Sequence, residues 1–264
     1  MEWRLQQQLK IFALLFIPFL GLGAFIIWKS LPAPTCFDGK LNQQEEKIDC
    51  GGPYCASCKI LAPQDINQHW IKFLPSGKDI YDVVVELTNP NFDHGAAKID
   101  YEIKLLDANL LPVASRRGST FLLPQQTRHV VEVSFSLVRV PKFADFSVSN
   151  IEWVKRESIA LMDSEIITTK REFLSQGSNG RPKITVEMSN FSPYKYSNVL
   201  TNILALDDKG NVLAASRHIS HNIDPDENFS VEAVWNTPFL VEPASIVVEP
   251  AVNAFDPREF SLPK

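Results

Sequence analysis

The chain has 264 residues, of which 45% are hydrophobic and 22% charged, and its formal net charge is -5. At about 150 residues per domain this length suggests two domains and something extra, and the composition excludes wholesale disorder. Eighteen Pro against eleven Gly exclude collagen, and the acidic balance gives nucleic acid no global attraction.

Ile11 to Trp28 reads IFALLFIPFLGLGAFIIW, eighteen residues without a charge. At about 1.5 Å per residue this covers about 27 Å, near the thin end for a bilayer core. Lys10 and Lys29 bracket the run, and Trp3 and Trp28 are placed for the two interfaces. Pro18 and Gly21 weaken a helix in water but are tolerated in lipid. A buried core helix rarely lacks polar residues for so long. A cleaved signal peptide has a shorter apolar region and a small-residue cleavage site, whereas Lys29-Ser30-Leu31-Pro32-Ala33-Pro34 follows here. The expectation is an uncleaved transmembrane signal-anchor at residues 11–28, with residues 1–10 cytoplasmic. Arg4 and Lys10 precede the span and Lys29 follows it, which favours the amino terminus inside. Beyond residue 29 the chain holds 23 basic against 30 acidic groups, a formal -7, as suits an extracytoplasmic part.

Residues 29–63 read as a linker and a cysteine-rich module. All four Cys lie here, spaced C-x13-C-x4-C-x2-C at Cys36, Cys50, Cys55 and Cys58. Four thiolates can hold a structural zinc, and the closing C-x2-C resembles a redox pair, although no βαβ pattern surrounds it. In an oxidising compartment two disulfides are the expectation, and a segment too short to bury a core needs such crosslinks. Asp38, Asn42, Glu45 and Asp49 offer oxygen ligands at a spacing that suits Ca²⁺, the one cofactor suggested; the plain alternative is a turn at Asp38-Gly39 and a loop cap at Asp49. The pattern C-x-D-G-x-x-N-x-x-E-x-x-x-D-C-G-G, running from Cys36 to Gly52 and followed by Cys55 and Cys58, resembles a short module of secreted and surface proteins. The resemblance implies a spacer rather than an activity.

The remainder repeats itself. YDVVVELTNPN from Tyr81 matches RPKITVEMSNF from Arg181, and LLDANLLPVASR from Leu105 matches LDDKGNVLAASR from Leu206. At an offset of 101, Val85 meets Val186, Glu86 Glu187, Asn89 Asn190, Asp107 Asp208, Ala114 Ala215, Arg116 Arg217 and Pro124 Pro225. Beyond the prolines the offset reads as 100, setting His129, Val131, Val133 and Phe135 against Phe229, Val231, Ala233 and Trp235, as though one residue had left the turn after Pro225. Such a period marks tandem whole domains. Val83, Val85 and Leu87 alternate with Val84, Glu86 and Thr88, which predicts one set in a core and the other in water. Asp208-Lys209-Gly210-Asn211 signals a hairpin turn. Six or seven short strands per copy predict an all-β ectodomain of two tandem β-sandwiches, at residues 64–158 and 159–264. Leu87-Thr88-Asn89-Pro90-Asn91 and Leu206 to Val212 resemble FxLYD-type and late-embryogenesis-abundant-type immunoglobulin-like domains of bacterial cell-envelope proteins. That resemblance implies immunoglobulin-like sandwiches that are not catalytic as a class.

No nucleophile elbow, zinc-protease, Walker or dinucleotide motif is present, so no catalytic residue is assigned and no enzyme expected. His218 and His221 with Asp224 and Asp226 form the densest polar cluster, but residues three apart on a strand face opposite ways. Arg116 and Arg217 read as two equivalent anion or glycan contacts, or as ion pairs with Glu86 and Glu187. Trp70, Trp153 and Trp235 would make a carbohydrate platform if exposed. Asn190 and Asn228 begin N-glycosylation patterns. The charged residues are expected on the outward, water-screened phase of the strands, leaving little room for a pocket. The leading expectation is a non-enzymatic, single-pass membrane protein displaying tandem domains for assembly or adhesion with surface or envelope proteins. The rival is an extracellular glycan or small-ligand receptor. A flat, apolar, charge-depleted patch would favour the first, and exposed aromatics in a groove the second.

Overall fold

The computed structural model describes residues 62–161, 164–177 and 180–262, with residues 7, 8, 10, 36, 40–42, 44–46, 48 and 50–55 before them. Among the described residues no helix is long and apolar enough to cross a membrane. The expected span at residues 11–28 lies outside them.

Residues 63–264 form one compact unit, whose described residues make thirteen strands. They are β1 (Asn67–Gly77), β2 (Ile80–Thr88), β3 (His94–Leu106), β4 (Pro112–Leu122), β5 (Thr127–Ser136), β6 (Phe143–Lys155), β7 (Ile166–Leu174), β8 (Lys183–Asn190), β9 (Lys195–Leu206), β10 (Val212–Ile223), β11 (Asn228–Val234), β12 (Ser245–Ala251) and the short β13 (Phe260–Ser261). They make four antiparallel sheets, with orders β1-β2-β5, β4-β3-β6, β11-β8-β7 and β10-β9-β12, β13 pairing β9. The second pair of sheets repeats the strand order of the first.

Each pair closes on its own core. Val83, Val85 and Leu87 of β2 meet Ile99, Tyr101, Ile103 and Leu105 of β3 in the first. Ile184, Val186 and Met188 of β8 meet Tyr196, Val199 and Ile203 of β9 in the second, with Trp235 closing one side. The alternation read from these strands is thus the inward phase of a sandwich.

The outward phase is not where alternation puts it. Val84 is fully buried, and it clusters with Val131 of β5 and with Leu204, Val212 and Ala215 of the other pair. Sheet β1-β2-β5 therefore lays its outer face on the outer face of β10-β9-β12. β2 and β9 are covered on both sides, which is why Val83-Val84-Val85 and Ile203-Leu204-Ala205 are continuous apolar runs.

The register of the repeat also differs from the sequence alignment. Val130 pairs Val85 and Val231 pairs Val186, so the offset is still 101 well past the prolines. The turns at Gln125 and Asp226 match, each in the left-handed region, so no residue is lost there. The extra residue of the first copy is a bulge: Val83 pairs Glu132 but Tyr81 pairs Phe135, and Ser134 takes a φ of 63°. Val130 therefore faces the core, Val131 the interface, and Phe135 the core again. At the first hairpin the turn acceptor is Asp107, whose Oδ1 takes the N–H of Asn109 and Leu111; its counterpart is Asp207, taking those of Lys209 and Asn211. Local hydrogen bonding, rather than the Asp107–Asp208 match, sets that alignment.

Candidate functional site

The densest polar chemistry lies where the two sheet pairs meet. Glu249 of β12 accepts hydrogen bonds from the backbone N–H of His129 at 3.0 Å and from its Nδ1 at 2.7 Å. Glu86 of β2 stands 3.5 Å from His129 Nε2, and the Trp70 ring lies 5.3 Å from the imidazole. Asn202 Nδ2 of β9 donates to the His129 carbonyl at 2.8 Å. Each of these crosses or flanks the interface, so His129 is held from both sides.

Beside it, three donors converge on Glu132, which is buried. Tyr101 Oη donates to Oε1 at 2.7 Å, Arg217 Nη1 to Oε1 at 3.1 Å, and Arg116 Nη1 to Oε2 at 3.2 Å. Burial and the Glu132 charge push the Tyr101 phenol well above its ordinary range. Tyr101 reaches this position because Gly118 lies opposite it across β3 and β4, and a Cβ there would collide with the phenol. Arg116 and Arg217, matched in the sequence alignment, thus share one carboxylate, although by strand register the counterpart of Arg217 is Arg117, which lies on Glu102. The expected pairs with Glu86 and Glu187 do not form: Glu86 faces His129, and Glu187 lies 3.6 Å from Lys170.

Arg128 of β5 completes the cluster. It is 3% exposed, its Nη2 donates to Thr120 Oγ1, and its guanidinium stacks 4.3 Å over Phe121. Burial lowers its pKa to about 10, against the pull of Glu249, so it is still a cation at neutral pH. Nε and Nη1 have no partner, and neither does the buried Asn202 Oδ1. All of them belong to residues that line a cavity of about 120 Å³ between the sheet pairs, with Arg217, His129 and Leu200 also on its wall. The charged residues are therefore not confined to a water-screened phase, and a pocket exists. The reason is the stacking of the sheets, which turns an outward strand face into an inner one.

The other candidates separate. His218 bonds Ser216 Oγ and His221 bonds Asn198 Oδ1, while Asp224 pairs with Lys195, so the cluster does not converge. Trp235 is buried with its Nε1 on the Ala215 carbonyl, Trp153 packs on the first core and Trp70 on the interface, which leaves no shared platform. Asn190 is fully buried and bonded, so it is closed to glycosylation; Asn228 is bonded to Ser189.

In the cysteine module Cys36 and Cys55 form a disulfide, Cys50 is also oxidised, and Cys58 lies outside the described residues. Gly51 and Gly52 take positive φ, and a Cβ on Gly52 would strike the Gln44 carbonyl, which accounts for the Cys-Gly-Gly sequence. Glu45 is buried; its Oε2 accepts the Asn42 N–H at 3.2 Å and its Oε1 lies 3.2 Å from Cys55 Sγ. Cys36, Glu45 and Cys55 converge as a metal site would, but the two sulfurs are bonded to each other and are not thiolate ligands. The calcium expectation also needs Asp38 and Asp49, which lie outside the described residues.

One end of the first sandwich is apolar. Leu110 and Leu111 of the β3–β4 turn, Val138 and Val140 of the β5–β6 connection, and Phe143 are all exposed. Arg139 lies 3.6 Å from Asp107 and the Lys142 N–H bonds the Leu106 carbonyl, which brings the two loops side by side. The surface continues into a groove of about 400 Å³ lined by Ile71, Phe73, Leu74, Phe143 and Ala144 together with Lys72 and Lys142, between the edge strands β1 and β6. Single-sequence reasoning missed this surface; its signal was the uninterrupted Leu110-Leu111 in a turn.

No protein-family model and no curated protein matches the chain. Among solved structures it is similar to the crystal structure of red sea bream transglutaminase, at 14% identity and a TM-score of 0.22; the match covers 70% of this chain and 29% of that one. The chain spans under a third of that protein's length, and a likeness of this size carries no argument about activity.

Proposed function

We propose that this chain is a non-enzymatic, single-pass membrane-anchored surface or envelope protein whose tandem immunoglobulin-like domains serve protein–protein assembly or adhesion. The observation that carries the reading is the apolar end of the first sandwich. Five large apolar side chains share it; Arg139 is paired with Asp107 between the loops, and the exposed Lys142 stands beside Phe143. A contiguous apolar patch of this kind marks a protein contact rather than chance exposure. Leu110 adds to this: it is 63% exposed and holds a φ of 61°, where the equivalent residue of the second copy is Gly210. Keeping a bulky side chain in a conformation that favours glycine is a cost borne at contact and switch sites. The adjoining groove runs between two edge strands, the place where a partner strand adds to a sheet.

A photo-crosslinking residue at Leu111 or Val138 should give one discrete adduct in the intact cell, and the same residue at the exposed Ile167 should give none. Equal labelling at all three positions, or none at any, would overturn the contact surface. A reporter fused after Lys264 should be active only outside the cytoplasm; cytoplasmic activity would overturn the anchored reading.

A further inference from the structure

We infer that the groove between β1 and β6 receives the Leu240-Val241-Glu242 loop of a second copy of this chain, a head-to-tail contact that repeats from copy to copy. The inference rests on the assembly reading and names its partner.

The two sandwiches supply the comparison. Phe73 pairs Val83 as Phe173 pairs Ile184, so the two phenylalanines hold the same place on the edge strands β1 and β7. Ala144 pairs Leu105 and Ile246 pairs Ala205, which makes them counterparts on β6 and β12. In the second sandwich this side is covered from within. Phe239, from the 235–244 connection that leads into β12, stacks 5.7 Å from Phe173, meets Trp235 edge-on at 5.2 Å and packs on the core, as Ile246 does. In the first sandwich the connection is the shorter stretch 137–142, its Val138 and Val140 are exposed, and Ala144 stands in place of the larger Ile246. The corresponding space is the groove of about 400 Å³. One copy closes this side with an aromatic from its own loop; the other leaves an apolar lining that a side chain from outside can cover.

The second sandwich also presents the occupant. Phe239 anchors its loop on Phe173, and the residues that follow face water: Leu240 is fully exposed and Val241 is 53% exposed. Glu242 is exposed and is the one charged residue of the 235–244 connection. The groove carries Lys72 and Lys142 on its lining and no acidic residue. Lys72 is held by Asn211 at 3.3 Å and lies over the Trp70 ring. Lys142 is exposed, and among the described residues neither it nor Glu242 has an ion-pair partner. Two apolar side chains followed by a carboxylate therefore match an apolar lining flanked by an ammonium group. The edge strands on either side offer free backbone groups to an incoming extended chain. Groove and loop are different surfaces of one molecule, so the contact is heterologous and builds a ring or a row of copies.

The test uses the full chain in intact cells, coexpressed as two forms that differ in an epitope tag. One form carries a photo-crosslinking residue at Leu240, or at the exposed Ile219 as a control. The expected result is an adduct of the two tagged chains from Leu240, with the linkage mapped to β1 or to Lys142–Ala144, and none from Ile219. Lys142→Glu in the partner form should cut this adduct about fivefold. The same substitution in the form that carries the crosslinker should leave it undiminished. Adding Glu242→Lys to the crosslinker form should restore the adduct with the Lys142→Glu partner. Both side chains are exposed, so neither change threatens the fold. No chain-to-chain adduct, a linkage elsewhere, indifference to Lys142→Glu in the partner, or equal loss from either form would overturn the inference. Capture of a different protein at Leu111 or Val138, with no second copy captured at Leu240, would leave the assembly reading standing and overturn this one alone.

Discussion

Asn89 and Asn190 are the two matched polar residues with no exposure at all. Asn89 Nδ2 donates to the carbonyls of His94 and Leu123, and Oδ1 accepts from the Asn91 N–H; Asn190 does the same with Tyr194, Asp224 and Ser192. One amide thus ties the end of β2 to the start of β3 and to the turn after β4, in both copies. Truncation leaves two carbonyls without donors, so Asn89→Ala should destabilise by about 3 kcal/mol, read as a shift in the urea midpoint. Asp82 behaves differently. Burial, the largest influence, raises its pKa, while the Ser134 N–H, the Ser76 hydroxyl and Arg116 pull it down. A carboxyl with a raised pKa holds its proton more firmly in the fold than in the unfolded chain. Its stabilising contribution is therefore present in acid and lost as pH rises through the folded pKa. Asp82→Asn keeps an acceptor for Ser134 and cannot ionise. The stability of the variant relative to the parent should rise between about pH 3 and about pH 7; a relative fall would show that the charged carboxylate is favoured.

At the scale of elements, the β3–β4 and β9–β10 hairpins offer a controlled comparison. Both turns use one Asp side chain to gather two N–H groups, but the residue of positive φ is Leu110 in one and Gly210 in the other. Left-handed backbone costs an L-residue roughly 1–2 kcal/mol, and glycine loses about 0.5–1 kcal/mol through its freer unfolded chain. Leu110→Gly should therefore stabilise slightly, by about 0.5 kcal/mol, and Gly210→Leu should cost about the same or more. Denaturant titration of the two variants checks both signs at once. The cysteine module makes a covalent prediction. Non-reducing peptide mapping should recover Cys36 linked to Cys55 and no free thiol at Cys50. A peptide linking Cys36 to Cys50 would contradict the fold of this loop.

At the scale of the whole molecule, the apolar contact of Val84 and Val131 with Leu204, Val212 and Ala215 joins what would otherwise be two separate cores. The polar bonds around His129 and Glu132 fix its register. Leu204 is 1% exposed at the middle of this contact. Unfolding of residues 63–264 should accordingly be one calorimetric transition. Leu204→Asp places an unpaired charge between the sheets and should separate it into two transitions, each sandwich melting on its own. Two transitions in the parent protein would mean that the contact is too weak to couple the halves.

The strand pattern, the doubling and the two inner cores were legible in the sequence, because alternation of Val83, Val85 and Leu87, and of Ile184, Val186 and Met188, is a local property of a pleated strand with one dry face. The oxidised cysteines were legible for the same reason, as a short segment without a core needs crosslinks. Other features depend on partners far along the chain. Val84 looked solvent-facing, and Arg116 and Arg217 looked like two copies of one feature. Only the stacking of one sheet on another buried Val84 against Leu204 and brought Arg217 to the Glu132 that Arg116 already holds within the first copy, while the bulge at Ser134 turned Phe135 back to the core. Alternation reports that a side chain leaves its own sheet on a given side. Whether water or a second sheet waits there is decided by contacts more than seventy residues away, such as His129 with Asn202, and no local period carries that information.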